Sequence, residues 1–368
     1  MYRVFDLLHL DGENLRELPL LDRKARLKKL SIWGPHIQFV AHAEQAGSAA
    51  LARAGHSRYE SGTSHAWLKF AAADTERGPT LTHLEKLYWP AEGITKGQVI
   101  DYYRTIAPTI LPYLAGRPES LNRHPDGIEA AGFFQKDVTG YVPRFVKIER
   151  IYSASVDKSI DYLVCDNEAT LLYMANLGCI EINPWLSRVG TLRMPDFCVI
   201  DLDPDDSNTF DQVIEIAQAF HGILDAAGIP NFCKTSGATG LHICIPLGAR
   251  YTFEQSRVFA EKMCAQVLEQ FPKFTSTERS PGKRKGKIYL DAFQNRDGQT
   301  LAAPYCIRPR PGAPVSTPLL WEEVVPGLEP SNFTMQIIPE RLRQVGDLWE
   351  PLRPGHPSSV GWDLPNGS

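Results

Sequence analysis

The chain has 368 residues, 43% of them hydrophobic and 22% charged, with a net charge of −4. Those proportions fit a folded protein of two or three domains and exclude a disordered or collagen-like chain. No apolar run approaches the ~18 residues of a membrane helix. The opening MYRVFDLLHLDGENLRELPL carries Arg3 and Asp6 within its apolar part, unlike a signal peptide, so a cytoplasmic protein without a membrane partner is expected.

In chain order, residues 1–72 read as a small α/β piece. VFDLLHL is a strand, Asp11-Gly12 a turn, LLDRKARLKKL a basic helix, and RYESGTSHAWLKF a loop with a closing strand. Residues 73–80 lose hydrophobicity and read as a linker. Residues 81–352 are patterned throughout. Thr95 caps a helix from Lys96 whose Val99, Ile100, Tyr103 and Ile106 share a face, and Pro108 should break or kink it. DFCVIDLDP is a strand. The helix after it, FDQVIEIAQAFHGILDAA, stops at Gly228 and Pro230. KTSGATGLHICIPL is a glycine-containing turn feeding a strand, Thr252 and Gln255 form a capping box, and KGKIYLDAF is another strand. The tail, residues 353–368, is rich in Pro, Gly and Ser and should fray. Strands alternating with helices give an α/β (α+β) domain with mixed sheets flanked by helices.

Seven cysteines are scattered and never spaced as CxxC, so buried free thiols are expected rather than a zinc site or disulfides. The sharpest chemical feature is Asp201-Leu202-Asp203 at the end of an apolar run. Alternation along a strand puts both carboxylates on one face and Leu202 in the core. Asp291 ends a second strand. Three carboxylates at strand ends suit a two-metal phosphoryl-transfer site, because divalent cations relieve their repulsion. By itself, Asp-x-Asp before a proline is more often a strand-to-turn boundary. The groups around it reverse that balance.

Ser236-Gly237-Ala238-Thr239-Gly240-Leu241-His242 follows one strand–helix–strand unit after the acidic pair. Gly237 and Gly240 let backbone N–H groups approach an anion, Ser236 adds a hydroxyl, and His242 stands where it could touch phosphate. A lone histidine on a strand is more often structural. The GK[ST] ending of a P-loop is missing. Residues 281–310 carry a net charge of +5, including Lys287 and Arg308, and bracket Asp291. Such a run is usually a solvated face, but cations beside a metal carboxylate suit a polyphosphate or a strand backbone. Upstream, Lys86 and Lys96 flank the start of the first long helix, whose terminus favours a phosphate. Phe133 and Phe134 lie beside Lys136. Core packing accounts for one ring, and the other, facing away, is open as a base-stacking platform.

Taken in order, HLEKLYWP, TKGQVIDYY, GFFQK, CIEINPW, VIDLDP, TSGATGLHICIPL, KGKIYLDAFQN and APYCIRPRPGAPVSTPLLW resemble the polymerase domain of bacterial DNA ligase D, within the archaeo-eukaryotic primase superfamily. The resemblance implies a primase-like core that fills short gaps at broken DNA ends in non-homologous end joining, adding NTPs or dNTPs with two Mn²⁺ or Mg²⁺ ions. By motif it makes Asp201, Asp203 and Asp291 the metal ligands, and Ser236, His242 and Arg308 triphosphate contacts. Lys86 and Lys96 become the pocket for a downstream 5′-phosphate, Phe133 and Phe134 base-stacking rings, and Arg123 a nearby basic contact. A Ku-like end-binding protein, a separate ligase and a nucleoid-associated location are implied too. Thr239 departs from the lysine of many relatives, and His83 and Glu85 from their Asn and Asp. Residues 1–72 resemble a remnant of an ATP-dependent ligase adenylation domain. The AMP-accepting lysine and an EGxxxK-type segment are missing, and Lys69 is kept while Ala71 replaces a second lysine, so no nick sealing is expected. The alternative reading is a catalytically idle module that binds 5′-phosphorylated DNA ends.

Overall fold

The computed structural model describes residues 2–4, 7–30, 37–39, 78–353 except 141, 154 and 155, and residues 356 and 363. RYESGTSHAWLKF with Lys69, most of the linker over 73–80, and most of the tail over 353–368 lie outside the described residues. The chain divides into two compact units, Met1–Ala73 and Asp74–Ser368. In the first, the strand expected over VFDLLHL is split: β1 (Tyr2–Val4) and β2 (His9–Leu10) are strands, while Leu7 and Leu8 are not. Strands β2 and β3 (Glu13–Asn14) form a hairpin around Asp11 and Gly12, both at positive φ, as a two-residue Asp-Gly turn requires. Helix α1 (Leu20–Lys28) follows, and β4 (Ile37–Phe39) pairs parallel with β1.

The second unit begins with the small hairpin β5 (Leu87–Trp89) and β6 (Ile94–Thr95), leading into α2 (Lys96–Leu114). Thr95 and Gln98 close a capping box, and Val99, Ile100, Tyr103 and Ile106 are all buried. Of the break or kink expected at Pro108, a break is not found: α2 runs through both Pro108 and Pro112. Pro108 removes the N–H that would serve the Arg104 carbonyl, and both residues lie on the exposed side, where water can replace the bond. Burial of the opposite face then outweighs the local penalty. Next come β7 (Glu119–Arg123), β8 (Phe133–Gln135), the hairpin β9 (Lys147–Ser153) with β10 (Lys158–Val164), α3 (Glu168–Asn176) and β11 (Cys179–Pro184). Strands β11, β7 and β8 make a three-stranded sheet in that order.

The larger sheet holds the acidic strands. Its elements are β12 (Phe197–Asp203), α4 (Phe210–Ala226), β13 (Phe232–Thr235), β14 (Leu241–Pro246), α5 (Phe253–Gln270), β15 (Thr275–Ser276), the short α6 (Pro281–Arg284), β16 (Ile288–Asp291) and β17 (Pro318–Leu319). Strand order is β15-β16-β12-β14-β13-β17, antiparallel except for β15 beside β16. Helices α4 and α5 start at Thr209/Gln212 and Thr252/Gln255 capping boxes, the second as expected, each contributing on the order of 1 kcal/mol. Helix α7 (Ile338–Val345) follows the sheet.

Alternation sorts the sheet's two faces. Cys198, Ile200 and Leu202, with Ile243 and Ile245, join Val213, Ala217 and Phe220 of α4 and Ala260 and Val267 of α5 in one core cluster. Val199 and Cys244, on the other face, join a second cluster with Tyr103, Ile182 and Cys306. Leu202 is fully buried, which stabilises the strand by ~2 kcal/mol and holds its acidic neighbours on the opposite face. All seven cysteines are free and buried, and burial raises every thiol above its usual range.

β12 meets β16 only over Asp201–Asp203, so its upstream edge would be left unpaired. The buried Asn295 side chain fills that gap. Its Oδ1 accepts from the Val199 N–H at 2.9 Å and from Ser256 Oγ at 3.0 Å, while Nδ2 donates to the Val199 carbonyl at 2.6 Å. One amide thus stands in for a strand residue. Asn295→Ala strands both Val199 backbone groups in the core and should cost about 3 kcal/mol, read as a lower urea midpoint at unchanged slope. A loss under ~1 kcal/mol would show that the edge does not depend on it.

Candidate active site

Antiparallel register sets four side chains in a row across four strands. Lys234 on β13 pairs with His242 on β14, His242 with Asp201 on β12, and Asp201 with Asp291 on β16. Asp203 lies opposite Tyr289, one step further on the same face. His242 Nε2 is 3.3 Å from Asp201 Oδ1, and Lys234 Nζ is 2.7 Å from His242 Nδ1. Asp291 Oδ1 accepts from the Phe293 N–H at 2.7 Å and from Tyr289 OH at 3.2 Å. Arg284 Nη1 is 3.0 Å from Asp203 Oδ2 and its guanidinium stacks 4.0 Å above the Tyr289 ring.

The glycine turn from Ser236 to Gly240 is packed beside this row. Ser236 Oγ accepts from the N–H groups of Ala238 and Gly240, both at 3.1 Å, so the turn's donors close on its own hydroxyl. Gly237 sits at φ +69°, and a Cβ there would lie 2.6 Å from Arg308 Cγ and 2.8 Å from the Ser316 nitrogen. A Cβ on Gly240 would lie 2.1 Å from the Leu202 carbonyl oxygen. Both glycines are therefore needed for close packing of the turn against β12 and the Arg308 loop. Arg308 is fixed from two sides: Nη1 donates to the Ser236 carbonyl, and Nε is 3.0 Å from the buried Glu181 Oε2.

Charge on this face is unevenly held. Burial alone would raise the Asp201 carboxyl, but His242, Lys234 and Arg308 bring it below the usual carboxylate range. Burial and then the Asp201 charge push Asp203 and Asp291 upward. Burial, followed by the Lys234 charge, lowers His242 to about 4, so its imidazole is neutral. Burial brings Lys234 down to about 8, still mostly charged at neutral pH.

The remaining candidates lie elsewhere. Lys86 pairs with Asp126 at 2.5 Å. Lys96 is buried with Nζ 3.5 Å from Thr82 Oγ1, and burial and then Lys86 depress its ammonium. The α2 terminus does not offer the expected free donors, because Lys86 O, Leu84 O and Thr95 Oγ1 take the N–H groups of Lys96, Gly97 and Gln98. Arg123 donates to the Leu177 carbonyl and to Gln135 Oε1, with its guanidinium 5.2 Å from the Phe133 ring centroid. Both rings are exposed, Phe133 by 47% and Phe134 by 61%, rather than one being packed away. Lys136 is exposed. Lys287 donates to the Pro272 carbonyl at 2.6 Å, which engages it beside β15 rather than with the acidic row. Lys234, Glu181 and Ser316 join the site without having been singled out in the sequence, and Arg284 was counted there only as part of the basic run. Lys234 and Glu181 had a readable signal, since a charge inside an apolar strand (FCKT, CIEINP) needs a partner.

Three carboxylates on one sheet face are a hard-oxygen donor set that fits Mg²⁺ or Mn²⁺. They are not drawn together as a cage: among the described residues no group of three or more His, Cys, Asp or Glu stands at metal-holding spacing. Arg284 holds one Asp203 oxygen instead, and the Phe293 N–H and Tyr289 hydroxyl hold one of Asp291.

A family model described as the LigD primase-polymerase domain matches residues 95–349. The chain belongs to that family. The bifunctional non-homologous end joining protein LigD of Bacillus subtilis is 32% identical over 266 residues, which cover 72% of this chain and 42% of that protein. The multifunctional LigD of Mycolicibacterium smegmatis is 30% identical over 275 residues, covering 74% and 36% respectively. The chain thus spans less than half the length of these LigD relatives. The polymerase domain of Mycobacterium tuberculosis ligase D, solved in complex with DNA, superposes with a TM-score of 0.71 at 27% identity, covering 77% of this chain and all of that one. The mixed α/β architecture is therefore the LigD polymerase-domain fold.

Among the described residues no helix is long and apolar enough to cross a membrane. For this LigD-family site, Gly240→Ala should displace the turn from Leu202 and destabilise the protein by ~2–4 kcal/mol in urea denaturation. A change below ~0.5 kcal/mol would show that the turn has room to give.

Proposed function

We propose that the protein is a metal-dependent DNA repair polymerase or primase that adds ribo- or deoxyribonucleotides to primer 3′ ends at gaps and double-strand breaks in non-homologous end joining. The observation that carries this reading is the row Lys234–His242–Asp201–Asp291, with Asp203 beside it and the Ser236–Arg308 cluster adjoining. Asp201, Asp203 and Asp291 would hold two Mn²⁺ or Mg²⁺ ions, which when bound supply activation of the 3′-hydroxyl and neutralise the departing pyrophosphate. The protein's own groups do the positioning. His242 presents Nε2 and Arg308 its guanidinium toward a triphosphate, and Phe133 and Phe134 offer exposed rings for stacking bases. Arg284 engages only Oδ2 of Asp203, and a bound cation would compete with it for that carboxylate. Burial and then the Lys86 charge depress the Lys96 ammonium, and a 5′-phosphate between the two lysines would relieve their repulsion. A Ku-like end-binding protein, a separate ligase and a nucleoid-associated location complete the reading.

The Arg284–Asp203 ion pair favours a second reading, an end-binding module without catalysis. Fill-in of a short 5′-phosphorylated gap, with Mn²⁺ or Mg²⁺ and with NTPs or dNTPs, separates the two. Replacing both Asp201 and Asp203 with Ala should abolish extension and leave DNA binding intact. Undiminished extension would defeat the metal assignment, and absence of extension by the unmodified protein under every condition would favour the binding module. Replacing Lys86 and Lys96 with Ala should erase any preference for a phosphorylated gap over an unphosphorylated one. An unchanged preference would remove that pocket.

A further inference from the structure

Lys234 is fully buried in the middle of a strand, where an apolar side chain of similar length would be easier to accommodate. Its surroundings show what the charge does. Nζ lies 2.7 Å from His242 Nδ1, donates to Ser316 Oγ and lies 5.9 Å from the Trp349 ring centroid. The Ser316 hydroxyl donates its own proton to the Thr235 carbonyl at 2.9 Å, so its oxygen is left as an acceptor facing the ammonium. An ammonium can only donate, so Nδ1 of His242 must accept. A neutral imidazole has one N–H, and with Nδ1 accepting, that proton sits on Nε2. On the other side of the ring, Nε2 lies 3.3 Å from Asp201 Oδ1, an acceptor that favours the same assignment.

We propose that Lys234 is a positioning residue that fixes the tautomer of His242, holding the ring proton on Nε2 so that the histidine presents a donor, not a lone pair, to the acidic side of the site. In the opposite tautomer Nε2 would turn a lone pair toward Asp201 and toward any anionic oxygen bound beside it. The part of the proposal that concerns a nucleotide rests on the nucleotidyl-transfer reading above, since the oxygen in question would belong to the triphosphate. The part that concerns the tautomer does not.

The test uses the full chain labelled with ¹⁵N-histidine, its His242 ring signals assigned by their loss in His242→Asn. The unmodified protein at neutral pH should show His242 as the Nε2–H tautomer alone, and Lys234→Met should shift the ring toward a mixture. In gap fill-in, Lys234→Met should raise the nucleotide KM by about tenfold or more, the effect of losing a charge-directed hydrogen bond, with a smaller change in kcat. A purely structural lysine would lower thermal stability without moving either readout. An Nδ1–H signal or a mixed signal in the unmodified protein overturns the proposal, and this measurement decides even if the variant fails to fold. An unshifted tautomer or unchanged KM in a folded Lys234→Met protein overturns it as well. If the tautomer behaves as stated while the unmodified protein extends no primer, Lys234 keeps its role and the nucleotidyl-transfer reading falls.

Discussion

The site depends on the register of β12 between β14 and β16. Asp201 is the residue at which both pairings meet, opposite His242 on one side and Asp291 on the other. A slip of one residue would send Asp201 and Asp203 into the helix-side core and bring Leu202 to the polar face. The buried run Cys198, Ile200 and Leu202 opposes that slip, and the Asn295 amide holds the strand's upstream edge where no neighbouring strand reaches it. The same contacts that stabilise the sheet therefore set the chemistry on its other face.

Much of this was legible in the sequence, for physical reasons that can be named. Both faces of FCVI are packed, and polar alternates with apolar only over Asp201-Leu202-Asp203, where the shared face of the two carboxylates follows from period two. The Thr95 cap and the Thr252 capping box are local signals and appear where they were expected, the first as a full box with Gln98. At Pro108 the sequence left break and kink both open, because a local penalty competes with a buried helix face, and only the fold shows that the helix continues. For Lys287 charge clustering along the chain does not say where the side chain points; its ammonium donates to the Pro272 carbonyl. Lys234 and the pairing of Arg284 with Asp203 were not read, because the partners lie far away in sequence, Ser316 for one and Asp203 for the other.

The polar face shows how charge can be kept in a buried setting. Asp201 is held ionised by cations and a histidine around it, while its own charge pushes Asp203 and Asp291 toward protonation. Such an arrangement is poised to take up positive charge. Arg284 supplies one positive group in the described state, stacked on Tyr289 and bonded to Asp203. The glycine turn is equally committed: its N–H groups close on Ser236, and its two glycines exist because Arg308, Ser316 and Leu202 press against them.

The sealed cysteines carry a last consequence. Alkylating and oxidising reagents attack the thiolate, and here every sulfur is both covered and held protonated by its burial. Thiol reactivity in this molecule is therefore a gauge of opening: a sulfur that reacts reports that the packing around it has come apart.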